Sequence, residues 1–77
     1  MSPDASSDVR ILLNGDSHDL PGPMTVRALL VRLDIDPRVV AVELNRVVVK
    51  RDRYDVTTID DGAEVEIVAF VGGGATS

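Results

Sequence analysis

The chain has 77 residues, no cysteine and two aromatic side chains, and its 13 acidic and 8 basic residues give a formal net charge of −5. This length suffices for one domain with a thin core, and the lack of cysteine excludes disulfides and thiolate sites. The acidic balance argues against nucleic acid or an anionic membrane surface as a partner. No apolar stretch is long enough to span a bilayer. We expect a cytoplasmic domain without a signal peptide.

The first segments predict a disordered lead and a hairpin. Residues 1–8 are polar and offer nothing to bury. Residues 9–14, VRILLN, alternate as a half-buried strand does. Asn14-Gly15 is a strong signal for a type I′ turn, because that turn needs positive φ at both central positions. A return strand is expected over residues 17–20.

A helix of about nine residues is predicted next. Thr25 is a favourable N-cap, and Val26, Leu29, Leu30 and Leu33 have the i, i+3, i+4, i+7 spacing of one apolar helix face. Pro37 disfavours a helical residue before it, so the segment DIDP (34–37) is expected to end the helix.

The second half predicts three strands. VVAVELN (39–45) and VVVK (47–50) are joined by a turn at Asn45-Arg46, and a polar connection follows with one helical turn near residues 53–55. Asp61-Gly62 marks another turn before AEVEIVAFV (63–71). The expected core combines one face of the helix with one face of the sheet. It consists of Val26, Leu29, Leu30 and Leu33 of the helix, and of Ile11, Leu13, Val40, Val42, Leu44, Val65 and Ile67 of the strands.

The order strand, strand, helix, strand, strand, strand predicts an α+β fold. A mixed sheet of four to five strands would pack on one main helix, with the first and last strands parallel and adjacent. This is the ubiquitin-like β-grasp arrangement. The domain division is a lead at 1–8, a β-grasp domain at 9–71 and a flexible glycine tail with a three-residue extension at 72–77.

Residues that could form an active site do not converge in this sequence. His18 has no serine or acidic pair to complete a relay and is expected at the exposed surface. Asp60-Asp61-Gly62 lacks the ligand spacing of a calcium loop. The glycines at 72–74 do not lead into a helix, as a phosphate-binding loop requires. KRDR (50–53) is interpreted as solvated surface, and at most as a contact point for an acidic partner. The chain is predicted not to be an enzyme and to bind no metal.

The strand alternation also leaves three apolar side chains on the face turned away from the core. These are Leu12, Val68 and Phe70, and the last two come shortly before the glycines. Apolar side chains grouped on an exposed face commonly mark an interface. We therefore predict a partner surface here, with Phe70 as its anchor.

Residues 9–74 resemble the ThiS family, the sulfur carriers of bacterial thiamine biosynthesis. The resemblance rests on ILLNG, VAVELN, the V-x-R-x-x-Y stretch at Val49–Tyr54, DDGAEVEIV and the closing FVGGG. It implies that a ThiF-type enzyme uses ATP to adenylate the C-terminal glycine carboxylate, which then becomes a thiocarboxylate. The sulfur would pass to thiazole synthase (ThiG). On this chain Gly74 would bear the sulfur, Gly73 would be the penultimate glycine and Gly72 would belong to the flexible arm. No cofactor is bound by the carrier itself.

The sequence departs from the family pattern after Gly74, where Ala75-Thr76-Ser77 follows. A carbonyl in a peptide bond cannot be adenylated, so we expect a processing protease to cleave after Gly74. The small subunit of molybdopterin synthase, a sulfur carrier for cysteine synthesis and a ubiquitin-like protein modifier stay open as alternatives. An inert scaffold domain is the remaining alternative.

Overall fold

The computed structural model describes residues 9–70 of the chain. The lead at 1–8, Val71 and the tail at 72–77 lie outside these residues. The main sheet has five strands in the order β2-β1-β7-β4-β5. Their bounds are Val9–Leu13 for β1, Asp16–Leu20 for β2, Val40–Leu44 for β4, Val47–Val49 for β5 and Glu64–Ala69 for β7.

The central strand of the sheet is β7, the last in chain order. It runs parallel to β1, with Leu12 paired to Glu64 and Leu13 to Val65, and antiparallel to β4. The remaining pairs, β1 with β2 and β4 with β5, are antiparallel hairpins. The sheet is therefore mixed, and the predicted β-grasp fold with adjacent parallel first and last strands is confirmed.

Helix α1 covers one face of the sheet and spans Val26–Arg32. The hydroxyl of Thr25 accepts a hydrogen bond from the Ala28 amide at 3.1 Å, so the predicted N-cap is confirmed. The helix is two residues shorter than expected, and it ends before the residue whose helical conformation Pro37 would disfavour. Leu33 is its C-cap, and Asp34 follows with a φ of 60°, a left-handed conformation that stops the helix.

A second sheet of two short strands, β3 (Met24–Thr25) and β6 (Thr58–Ile59), was not predicted. Two-residue strands carry no alternation to detect. Short 3₁₀ turns at Pro37–Val39 and Arg51–Arg53 complete the backbone, the second lying two residues before the predicted helical turn.

The core lies between α1 and the inner face of the main sheet. The predicted Ile11, Val26, Leu29, Leu30, Val40, Val42 and Val65 are buried, whereas Leu13, Leu33, Leu44 and Ile67 are partly buried and pack against them. Five buried residues were missed: Val9, Leu20, Tyr54, Ile59 and Ala63. Within the described residues, no helix has the length and apolar character needed to cross a membrane.

Candidate functional site at the end of the central strand

The end of β7 is the candidate site because the glycine run begins three residues after Ala69. Gly72, Gly73 and Gly74, the predicted carrier residues, lie outside the described part of the chain. What the structure does show is how the strand that precedes them is held and which side chains surround it.

Two turn asparagines hold β7 through their side chains. Asn14 follows β1, and its amide forms two hydrogen bonds with the backbone of Ile67: the Ile67 N–H donates to Oδ1 at 2.8 Å, and Nδ2 donates to the carbonyl at 3.2 Å. On the other flank, Oδ1 of Asn45 accepts from the Glu64 N–H at 2.9 Å. Side-chain hydrogen bonds from the turns after β1 and β4 therefore hold β7 in addition to the backbone pairing of the strands.

These asparagines occupy backbone conformations that suit them. Asn14 has a φ of 51° and is followed by Gly15 at 88°; Asn45 has 52° and is followed by Arg46 at 70°. Both turns thus have positive φ at both central positions, as the type I′ prediction for Asn14-Gly15 requires. Asparagine tolerates this left-handed region better than most residues.

Backbone pairing of β7 continues to the last described residue. The Phe70 N–H donates to the carbonyl of Val39 at 2.8 Å, one step beyond the register that joins Val40 to Ala69. The direction in which the chain leaves the sheet is therefore set from the β4 side. On the β1 side, the hydrogen bonds to β7 within residues 9–70 end with those between Asn14 and Ile67.

The three predicted interface residues are exposed, with fractions of 46% for Leu12, 60% for Val68 and 57% for Phe70. They lie on the outer face of the sheet, opposite the helix. Ala41 lies beside Val68 in the register of β4 and β7, which adds a fourth apolar side chain. We call Ala41, Val68 and Phe70 the exit patch.

Leu12 is separated from the exit patch. It is level with Glu64, four residues before Val68 on β7, which corresponds to about 13 Å along a strand. The sequence pattern placed the three residues on one face but could not give the parallel register, and the register separates them.

Acidic residues lie on the same outer face between Leu12 and the exit patch. Glu43 and Glu66 are directly opposite each other in the β4–β7 register. Glu64 lies 3.5 Å from Arg46, an exposed and therefore weak ion pair. The apolar end of the outer face is thus bordered by negative charge.

A groove of about 390 Å³ lies on the helix side of the same strand end. Its lining includes Leu33, Ile35, Val40, Ile67 and Ala69. The groove could not be predicted from the sequence, because it depends on where the helix stops relative to β7. No signal in the linear pattern gives that distance.

Titratable groups do not assemble a reactive centre in residues 9–70, where no group of three potential metal ligands occurs. The carboxylate of Asp61 accepts from the Arg10 amide at 2.8 Å, and Gly62 has a φ of 84°, as in a turn. His18, expected at the surface, is instead half-buried on the inner face, opposite Ile11.

A carboxylate with a strongly lowered pKa lies near the end of α1. Hydrogen bonds from the side chain and backbone of Arg38 lower the pKa of Asp36 to about 2. The guanidinium contacts both carboxylate oxygens, with Nη2 at 2.8 Å from Oδ2. The pair is exposed and caps the 3₁₀ turn at residues 37–39, so its role is structural.

Comparison with known proteins gives a consistent result for nearly the whole domain. The ThiS family model matches residues 11–74, which include the end of β1, every later element through β7 and the three glycines. The chain belongs to the ThiS family.

Solved structures agree with this assignment. A crystal structure of the thiamine biosynthesis protein ThiS from Geobacter metallireducens is 36% identical, has a TM-score of 0.76 and covers 86% of this chain and all of that one. The sulfur carrier protein ThiS of Bacillus subtilis is 36% identical over 50 residues, which are 65% of this chain and 76% of that protein. The predicted ThiS resemblance is confirmed.

Other relatives are much longer. A thiazole synthase of Paramagnetospirillum magneticum is 42% identical over 67 residues, and one of Magnetococcus marinus is 38% identical over 66 residues. These segments are 87% and 86% of this chain, which spans about a fifth of the length of either synthase. ThiS-like sequence thus occurs within proteins named for the synthase.

Proposed function

We propose that this domain carries sulfur as a thiocarboxylate on Gly74 and donates it for thiazole formation in thiamine biosynthesis. The observation that supports this most directly is the match to the ThiS family, which extends through Gly74. As a member of that family, the domain is a carrier and not a catalyst. The reactive group lies on the backbone, so no catalytic side chain is needed on this chain.

The chemistry requires a partner that activates the glycine. A carboxylate is a poor acceptor for a sulfur nucleophile until one of its oxygens becomes a good leaving group. A ThiF-type enzyme would form an acyl-adenylate from the Gly74 carboxylate and ATP, releasing pyrophosphate. A sulfide nucleophile (HS⁻) would then attack the acyl carbon and expel AMP with loss of a proton, leaving the thiocarboxylate.

The occurrence of ThiS-like segments inside two thiazole synthases supports ThiG as the acceptor of the sulfur. In those proteins a ThiS-like segment and a synthase share one chain, which is expected where carrier and synthase work in succession. The exit patch, whose Phe70 lies two residues before the first glycine, is our proposed contact surface for the adenylating enzyme, with Phe70 as the anchor. Leu12 would contribute a separate, peripheral contact.

Gly74 must be uncovered before it can be activated, because its carbonyl is in a peptide bond with Ala75. We therefore include a protease that cleaves after Gly74 among the partners.

Intact-mass spectrometry tests the proposal with two proteins, the 77-residue chain and a form ending at Gly74. Each is incubated with a ThiF-type enzyme, ATP and a sulfide source. We expect the shorter form to gain the mass of one sulfur-for-oxygen exchange and the longer form to stay unchanged. A shorter form that is never adenylated would contradict the proposal, as would modification of the uncut chain.

Complementation of a thiamine-requiring strain then separates the pathways. Both forms should restore growth if the host trims the tail, whereas a Gly74→Pro form should not. Restoration of molybdopterin or cysteine synthesis instead of thiamine synthesis would assign the carrier to another pathway.

A further inference from the structure

We infer that the β5 edge of the sheet is a docking site for an extended acidic segment of a partner protein, which adds to the sheet as a sixth strand. The β5 edge is defined as Val47–Val49 with Lys50 and Arg53. This inference does not depend on whether Gly74 carries sulfur, because it concerns the opposite side of β4 from β7.

The two outer strands of the sheet are built differently. Strand β2 ends the sheet on one side and carries Asp16, Ser17 and Asp19, all exposed. Charged side chains on an edge strand discourage another strand from pairing with it. Strand β5 ends the other side and is made of three valines, of which Val47 is 65% exposed and Val48 64% exposed. The β2 edge is therefore protected from pairing by charged side chains, whereas the β5 edge is apolar and can pair with another strand.

The backbone of β5 has groups free for pairing. A two-residue turn joins β4 to β5, so Leu44 and Val47 form the hydrogen-bonded pair next to the turn. In antiparallel pairing the bonded and non-bonded positions alternate, and Val48 occupies the non-bonded one. Its N–H and C=O therefore point away from β4, to the open edge.

Apolar surface lies beside these groups on the helix side. A groove of about 390 Å³ is lined by the side chains of Leu44, Val47 and Val49, with Lys50, Arg53 and Thr57 as its polar lining. An added strand would place every second side chain in this groove while its backbone pairs with Val48. This is the geometry of β-strand addition.

Charge determines the chemistry of the occupant. Four of the eight lysines and arginines of the chain lie between residues 46 and 53, in a protein whose net charge is −5. Arg46 has a long contact with Glu64, but Lys50 and Arg53 form no ion pair within residues 9–70. A segment with acidic residues at its ends would place them level with Arg46 and Lys50.

The same charges argue against a second copy of this chain. Antiparallel pairing of two β5 strands about Val48 would bring Arg46 of each copy against Lys50 of the other. Like charges placed directly opposite are unfavourable. Glu43, beside Val48 on the outer face, further restricts acidic side chains of the occupant to its ends.

The test is an NMR titration of the full ¹⁵N-labelled chain with the peptide acetyl-EEVTVEE-amide, with acetyl-KKVTVKK-amide as the charge control. We expect saturable shifts at residues 47–50 and at Arg53, with slower exchange of the Val48 amide hydrogen. The lysine peptide should cause none of these changes. No saturable shift with the acidic peptide, or shifts centred on the exit patch, would overturn the inference.

Two charge-reversal variants test whether the acidic peptide binds at the β5 edge. Lys50→Glu should weaken binding of the acidic peptide by about fivefold, because it replaces an attraction by a repulsion at the surface. The matched Arg32→Glu change, on the exposed side of α1, should leave the affinity unchanged. Equal losses in both variants would contradict a local site.

Val48→Pro removes the donor that faces the open edge, where proline is tolerated. This variant should keep the spectrum of the remaining sheet and lose peptide binding.

Sedimentation of the unlabelled chain completes the test. A dimer that dissociates on Val48→Pro substitution would show that a second copy occupies the edge, and would overturn the inference of an acidic partner.

Discussion

Asn14 continues the pairing of β7 after the backbone of β1 has turned away. Its amide bonds both backbone groups of Ile67, and its φ of 51° is a conformation that few residues adopt without strain. The side chain thus has two roles that substitutions can separate. One is the pair of hydrogen bonds to β7, and the other is the turn.

We predict that Asn14→Gly lowers the free energy of unfolding by about 1–2 kcal/mol, because glycine keeps the turn and loses both hydrogen bonds. Asn14→Ala should cost about 1 kcal/mol more, since alanine is strained at positive φ. Urea denaturation measures both. A glycine variant as stable as the parent would show that the amide does not hold β7.

Asp36 gives a pH prediction. Its pKa is lowered to about 2 in the folded protein from an ordinary value of 3.8, so the folded state favours the charged form. The stabilisation is present above the ordinary value and is lost as the pH falls through the folded value. The group is exposed, so we expect the effect on stability to be small.

The carboxyl ¹³C shift of Asp36, followed from pH 5 downward, should report this low pKa. Arg38→Ala should move it back towards 3.8, and high salt should do so in part. An unchanged midpoint in the arginine variant would contradict the assigned cause.

At the scale of the elements, α1 shows how little of a short helix is committed to the core. Leu30 is completely buried, whereas its neighbour Val31 is 71% exposed. Leu30→Ala should lower the free energy of unfolding by about 3 kcal/mol, through lost burial and a residual cavity. Val31→Ala should change it by less than about 0.5 kcal/mol. Chemical denaturation of both variants checks this, and comparable losses would mean that the helix face is wrongly placed.

The elements also show what sequence patterns can and cannot provide. Alternation and the i, i+3, i+4 spacing predicted β1, β4, β7 and α1, because each contacts the core along a regular stripe. Tyr54 was missed because it follows the polar run KRDR and belongs to no regular stripe, although it is 2% exposed. Its carbonyl also accepts from the Arg27 amide at 3.0 Å, a tertiary contact that no local pattern reveals.

At the scale of the whole molecule, a substitution in the exit patch should weaken partner binding without lowering the stability of the fold. Phe70→Ala should change the free energy of unfolding by less than about 0.5 kcal/mol, since the ring is 57% exposed. It should weaken binding to the ThiF-type enzyme by about tenfold or more, as loss of an aromatic anchor does. Calorimetric titration measures this, with Val31→Ala on the other layer as the control. A large loss of stability would instead make Phe70 part of the core.

The charge of the whole molecule gives a kinetic prediction. With Glu43 and Glu66 bordering the exit patch, association with a basic partner surface should be faster at roughly 0.05 M salt than at 0.5 M, while dissociation changes little. Glu66→Gln should reduce this salt dependence more than Asp34→Asn does. Asp34 lies near the end of α1, and its positive φ is a conformation that asparagine also adopts. Stopped-flow measurements would refute the idea if the two variants behaved alike.

Topology could be predicted from the sequence because hairpin turns, one amphipathic helix and a terminal strand restrict the fold to few arrangements. The face of the sheet on which Leu12, Val68 and Phe70 lie could also be predicted, but the spacing of the surface features could not. The distance between Leu12 and Val68, the groove under β7 and the open edge of β5 all depend on register and on where elements stop. Those quantities are set by tertiary contacts, which one-dimensional patterns do not contain.

The parallel pairing of β1 with β7 also constrains how the protein is made. Leu12 must find Glu64 across most of the domain, and β7 is needed to join the β1–β2 hairpin to the β4–β5 hairpin. A nascent chain that has not yet released β7 from the ribosome therefore holds two unjoined hairpins and an uncovered helix. Contacts this distant in sequence slow folding. The polypeptide completes its sheet only when the strand before the glycines emerges, so a fragment lacking that strand cannot present a folded surface to any partner.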